Sequence, residues 1–81
     1  MGIAHTFTED SDAIEKEKRQ QIEKLIADAK WNMYAEMWEL AKNSLNQAKA
    51  IAVLLHDKAK IDETLVLLAK CDKREKVALG T

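Results

Sequence analysis

Between Trp38 and Leu55 the apolar positions fall at Trp38, Ala41, Leu45, Ala48, Ala52 and Leu55. The gaps alternate between three and four residues, which sets all six on one stripe of an α-helix. Ala at positions 41, 48 and 52 keeps that stripe shallow, so a second helix can approach near the short end of the usual interaxial range. Leu40, Ile51 and Leu54 flank the stripe and predict a helix covered on more than one side. That suits the middle helix of a three-helix arrangement.

Upstream, Ile14, Ile22, Leu25, Ile26, Ala29 and Met33 share one helical face, with Lys18 interrupting its start. This predicts a first helix over about 12–30 whose opening turns face solvent. Asp12-Ala13-Ile14-Glu15 has the form of a capping box, and Thr8 or Ser11 could serve instead. Residues 1–10 then read as an irregular tail, and 11–78 as one helical domain. The two stripes do not run into each other in phase. Traced backwards, the Trp38 stripe crosses the first face near Trp31-Asn32-Met33-Tyr34. A turn there, with Asn32 as turn or cap residue, is preferred over one long helix with a stutter. His56 to Lys60 predicts a second turn, with Asp57 capping a third helix that carries Ile61, Leu65, Leu68 and Cys71 or Val77 on its inner face and ends near Lys76.

Composition agrees with an all-α chain. There is no Pro, and Gly stands only at positions 2 and 80. β-branched residues are few and never alternate. The fold class expected is therefore a small three-helix bundle, or a helical hairpin plus one helix. A chain of 81 residues buries only about 60–65% of its unfolded surface, so a partner or self-association would help to stabilise it.

The stretch from Tyr34 to Cys71 resembles a tetratricopeptide-type helical repeat. Leu40-Ala41-Lys42-Asn43-Ser44-Leu45-Asn46-Gln47-Ala48 is similar to the second helix of such a repeat. His56-Asp57-Lys58-Ala59-Lys60-Ile61, followed by Thr64-Leu65-Val66-Leu67-Leu68-Ala69, is similar to the inter-repeat turn and the next first helix. The family's first-helix Gly and its closing Pro are absent here. The resemblance implies a protein-interaction module.

Charge excludes more than it suggests. The formal net charge is −1, with no block of one sign. Lys70, Lys73, Arg74 and Lys76 are interleaved with Asp72 and Glu75, which reads as a solvated last turn complementing the helix dipole rather than a nucleic-acid stripe. The single Cys71 rules out an internal disulfide and fits a reducing, cytoplasmic setting. No apolar run approaches the length of a membrane span. Met1 to Thr6 fits the N-myristoylation pattern, yet Glu9, Asp10 and Asp12 would repel an anionic membrane. No membrane or nucleic-acid partner is expected.

Candidate chemistry is sparse. His56 in a turn could be a phosphoacceptor in a phosphotransfer component. The plainer reading is an exposed His near a helix C-terminus. Cys71 has no His at helical spacing and reads as a small apolar packing residue. Two His and one Cys without paired spacing supply no metal set, and no cofactor is expected. Glu15–Arg19, and Glu36 with Lys42, read as solvated charge pairs. What stands out instead is the aromatic and Met cluster of Trp31, Met33, Tyr34, Met37 and Trp38. Trp and Tyr dominate interface hot spots and Met adapts to varied partners. These five either close the core at the junction of helices one and two or stay partly exposed as a partner site; on the second reading Trp31, Tyr34, Met37 and Trp38 are the expected partner-binding residues. The function expected is a non-enzymatic protein–protein interaction domain, an adaptor, inhibitor or accessory subunit docking on another protein or on itself. A phosphorelay component using His56 and a purely structural homodimeric bundle are the alternatives.

Overall fold

A computed structural model describes the backbone of residues 2–78 and 80, and the side chains of 12–77 and 80. The described residues form three helices and no strand: α1 (Gly2–Tyr34), α2 (Trp38–Leu54) and α3 (Lys58–Ala78). The helices make a small all-α bundle. α2 lies in the middle; α1 and α3 both pack mainly on it and touch each other little.

The central stripe is the core. Ala41, Leu45, Ala48 and Ala52 are buried, and Trp38 and Leu55 close the two ends half-buried. Ile22 and Ile26 of α1 meet Ala48 and Ala52 in one buried cluster. Ala29, Ala41, Leu45 and Cys71 form the other. Every fully buried residue of α2 except Leu45 is an alanine, so backbones approach closely there.

Both links are three residues long and built alike. At the end of α1 the Glu36 N–H donates to Met33 O at 3.0 Å and the Met37 N–H to Asn32 O at 2.8 Å. At the end of α2 the His56 N–H donates to Val53 O at 3.1 Å and the Asp57 N–H to Ala52 O at 2.9 Å. This pattern satisfies carbonyls that a helix end would otherwise leave open, and it requires a left-handed residue just past the helix. Glu36 (φ 62°) and His56 (φ 56°) fill that position although neither is Gly. Met37 and Asp57 then start the next helices, their carbonyls accepting from the Ala41 and Ile61 N–H groups. Asp57 caps α3 as expected, its Oδ1 accepting from the Lys60 N–H at 3.2 Å.

Several expectations need correction. Residues 2–10 are helical rather than an irregular tail. Once a helix is nucleated, each further residue adds a hydrogen bond, and no Gly or Pro interrupts 3–34. Asp12 is accordingly inside α1 rather than at its cap. The first turn falls at 35–37, and Asn32 lies within the helix. Leu40, Leu54 and Leu65 are exposed, whereas Ile14 is exposed as its solvent-facing opening turns predict, and of the two α3 alternatives Cys71 is buried and Val77 exposed. With α2 flanked by only two described helices, no further described helix covers Leu40, Leu54 or Leu65. Thr64, not among the residues expected on the inner face of α3, is fully buried; its hydroxyl donates to Ile61 O at 2.8 Å, which removes the cost of burying it.

Ion pairs stitch the outer helices to the rest. Arg19 donates to Asp57 at 2.7 Å and to Glu15 at 3.0 Å. Lys60 meets Glu23 and, at 3.3 Å, Glu63. Lys42 meets Glu75 at 2.8 Å and Asp72 at 3.5 Å across the α2–α3 seam. Its neighbour on its own helix is Glu39 at 3.9 Å, not Glu36. Solvent screens such pairs, so they add little to stability.

Candidate docking groove

The C-terminal part of α1, the first turn and the C-terminal half of α3 enclose a groove of about 550 Å³. Met33, Trp38 and Leu67 supply its apolar floor, and Tyr34 and Val77 its apolar edges. Lys30, Lys70 and Arg74 stand around it, against one carboxylate, Glu36. Of these cations Lys30 has a distant ion pair, 3.9 Å from Glu63.

The sequence-predicted site residues gather unevenly here. Tyr34 and Trp38 line the groove. Trp31 stands edge-on to Tyr34, with ring centroids 6.4 Å apart and planes at 79°, so it extends the aromatic surface outward. Trp31 is 73% exposed and Tyr34 85%, far more than side chains of that size usually show when no partner covers them. Met37 is exposed in the turn and does not line the groove. Trp38 serves two surfaces, since it also packs on the Ala29, Ala41, Leu45 and Cys71 cluster. Its Nε1–H is buried with no acceptor among the described residues, a loss of about 1–3 kcal/mol.

The sequence reading assigned Lys70 and Arg74 to a solvated last turn and Val77 to a possible inner face, and gave none of these, nor Leu67, a part in a binding site. Their spacings of three, four and three were the available signal: two apolar residues bracketing two cations on one face of α3.

Other chemistry is accounted for by structure. His56 is exposed at the left-handed position of the second turn. Cys71 is a free, fully buried thiol. Burial pushes its pKa up and Lys42 opposes the rise, leaving it poorly nucleophilic. A second cleft, of about 350 Å³ between α1 and the start of α3, is lined by Lys16, Arg19, Gln20, Ile22, Glu23, Asp57 and Lys60. Arg19 is paired there with Asp57, and Lys60 with Glu23. The hydrogen bonds that Arg19 donates to Glu15 and then to Asp57 raise its pKa. The Glu23 hydrogen bond does the same for Lys60, against burial. Among the described residues no group of three or more His, Cys, Asp or Glu could hold a metal ion. No described helix is long and apolar enough to cross a membrane. The myristoylation pattern at Met1 to Thr6 lies outside the described side chains.

No family model, curated protein or solved structure matches this chain.

Proposed function

We propose that this chain is a non-enzymatic protein-interaction domain that receives another protein segment in the Tyr34–Trp38 groove. The observation that carries the reading is the aromatic surface there. Trp31 and Tyr34 lie mostly in solvent while Trp38 beside them is anchored in the core. Rigid aromatic side chains held beside a packed floor are what concentrates binding energy at an interface. Flanking cations supply the polar rim that such interfaces have. The resemblance of residues 34–71 to a tetratricopeptide-type repeat supports the same class of function, since it falls on α2, its turn and most of α3.

The test is site-specific photo-crosslinking. A photoreactive residue at Tyr34 should capture a partner chain, and one at exposed Gln47 on α2 should not. Tyr34→Ala and Trp31→Ala should lose the complex while circular dichroism stays helical. Capture that is equal from both positions, or indifferent to both alanine variants, would remove the groove from the proposal.

A further inference from the structure

α1 is much longer than the helices it supports: 33 residues, against 17 in α2 and 21 in α3. Leu54 and Leu55, at the end of α2, share a pocket with Ile14 and Lys18 of α1. α3 begins beside Arg19, through Asp57, and runs parallel to α1 towards the C-terminal end of that helix, away from residues 2–13. The turns of α1 before Ile14 therefore continue past the end of α2, with no described helix beside them. At 1.5 Å per residue, twelve residues project about 18 Å.

The chemistry of that projecting stretch is the reverse of the groove's. Residues 2–13 contain Glu9, Asp10 and Asp12 and no Lys or Arg. They also contain Ile3 and Phe7, spaced four apart, with Ile14 seven further on, which is helical spacing. Ile14 is itself 55% exposed. The groove offers an apolar floor among Lys30, Lys70 and Arg74, with Glu36 its one acid.

We infer that the groove's occupant is the acidic N-terminal segment of a second copy of this chain, residues 3–12, seated with Phe7 over the apolar floor and its carboxylates against Lys70 and Arg74. This rests on the groove being a protein-docking site. The segment cannot reach the groove of its own chain. Asp12 and Lys30 are separated by an unbroken stretch of α1, about 27 Å of rigid helix. Two copies placed antiparallel about a two-fold axis satisfy both grooves at once. Each projecting segment then lies along the far end of the other copy's bundle, and the assembly closes as a dimer rather than growing into a fibre.

Charge exchange in the full-length chain tests this by analytical ultracentrifugation, with circular dichroism reporting the fold. The wild-type chain should dimerise, and more weakly as salt rises, because the paired charges are exposed. Lys70→Glu with Arg74→Glu should weaken the dimer at least about tenfold, and so should Glu9→Lys with Asp10→Lys. The decisive arm is a mixture of those two variants. Each then carries the complement of what the other presents, so the mixture should form a heterodimer although neither variant pairs with itself. Should either reversal cost the fold, Lys70→Gln with Arg74→Gln asks the same question more gently and should give a smaller weakening. A monomeric wild-type chain overturns the proposal, and so does a dimer indifferent to salt and to both reversals, or a mixture that stays monomeric. A chain monomeric in every arm that still crosslinks a different protein from Tyr34 would leave the groove's docking role standing and remove only its self-occupancy.

Discussion

Glu36 and His56 occupy the same position in two copies of one turn. Each follows a helix by two residues, each has a positive φ, 62° and 56°, and each is flanked by the same pair of closing hydrogen bonds. Neither turn contains a Gly. A left-handed residue with a Cβ costs about 1–2 kcal/mol relative to the right-handed form. The geometry is nonetheless imposed, because α2 must reverse against α1 and α3 against α2 within three residues.

Glu36→Gly and His56→Gly should therefore each stabilise the chain by about 0.5–1 kcal/mol, the relieved strain outweighing the added freedom of the unfolded backbone. For a domain of this size that is a rise of several degrees in Tm. Thermal melts followed by circular dichroism check it. His56→Ala keeps the Cβ and should not reproduce the gain. A His56→Gly variant that melts lower would mean that the side chain makes an interaction larger than the strain it carries.

The α2 seam should be intolerant of charge and of bulk. Ala48 is fully buried between α1 and α2. Ala48→Asp places an unpaired carboxylate there and should cost roughly 3 kcal/mol or more. Ala48→Leu should cost about 1–3 kcal/mol through overpacking. Ala50→Leu, on the exposed side of the same helix, should be near neutral. Thr64→Val should also be close to neutral, because it swaps a satisfied hydroxyl for a methyl of the same shape. Urea denaturation of the four variants would rank them, and equal midpoints for Ala48→Asp and Ala50→Leu would place the seam elsewhere.

Cys71 should be chemically silent in the folded chain. Its thiol is fully buried and its pKa is raised by that burial. Alkylation by iodoacetamide at neutral pH should be slow in buffer and rapid in denaturant. Cys71→Ser should cost about 1–3 kcal/mol by burying a hydroxyl without a partner, and Cys71→Ala less. Fast labelling of the native protein would show that the α2–α3 seam opens readily.

Stability should fall on the alkaline side. The Lys42 pKa is raised above its ordinary 10.5, chiefly by its hydrogen bond to Glu75, with burial opposing. Lys60 is raised in the same direction by Glu23. A cation whose pKa is higher folded than unfolded contributes fully below the unfolded value and loses that contribution as pH rises through the folded one. The Cys71 thiol adds to the decline from above its ordinary 9.0, since ionisation favours the unfolded chain. Tm should thus hold from neutral pH up to the ordinary thiol value of 9.0 and fall beyond it, more steeply once the ordinary lysine value of 10.5 is passed. Lys42→Met should flatten part of that drop, and Cys71→Ala should delay its onset. A Tm that is level across the whole range would mean that these shifts do not contribute to stability.

The all-α class, the three-helix order and the central stripe were legible in the chain. A three-and-four spacing is a property of the helix itself and needs no partner to be read. Ala41, Leu45, Ala48 and Ala52 are buried where that spacing puts them, and Asp57 caps α3 because its side-chain chemistry is local. Turn positions were less legible. Residues 35–37 carry no turn signal, and their conformation comes from the packing of Trp38 and Ala41 against α1, not from their own preferences. The same holds for which apolar residues stay exposed. Leu40, Leu54 and Leu65 look identical in sequence to their buried neighbours. Only the placement of two helices on two sides of α2 decides that nothing covers them. The groove is the extreme case. Tyr34 and Arg74 are forty residues apart, and they meet only because α1 and α3 run parallel on either side of α2 and both end beside the first turn. Helical periodicity acts over neighbouring turns, whereas such a juxtaposition depends on how whole helices pack.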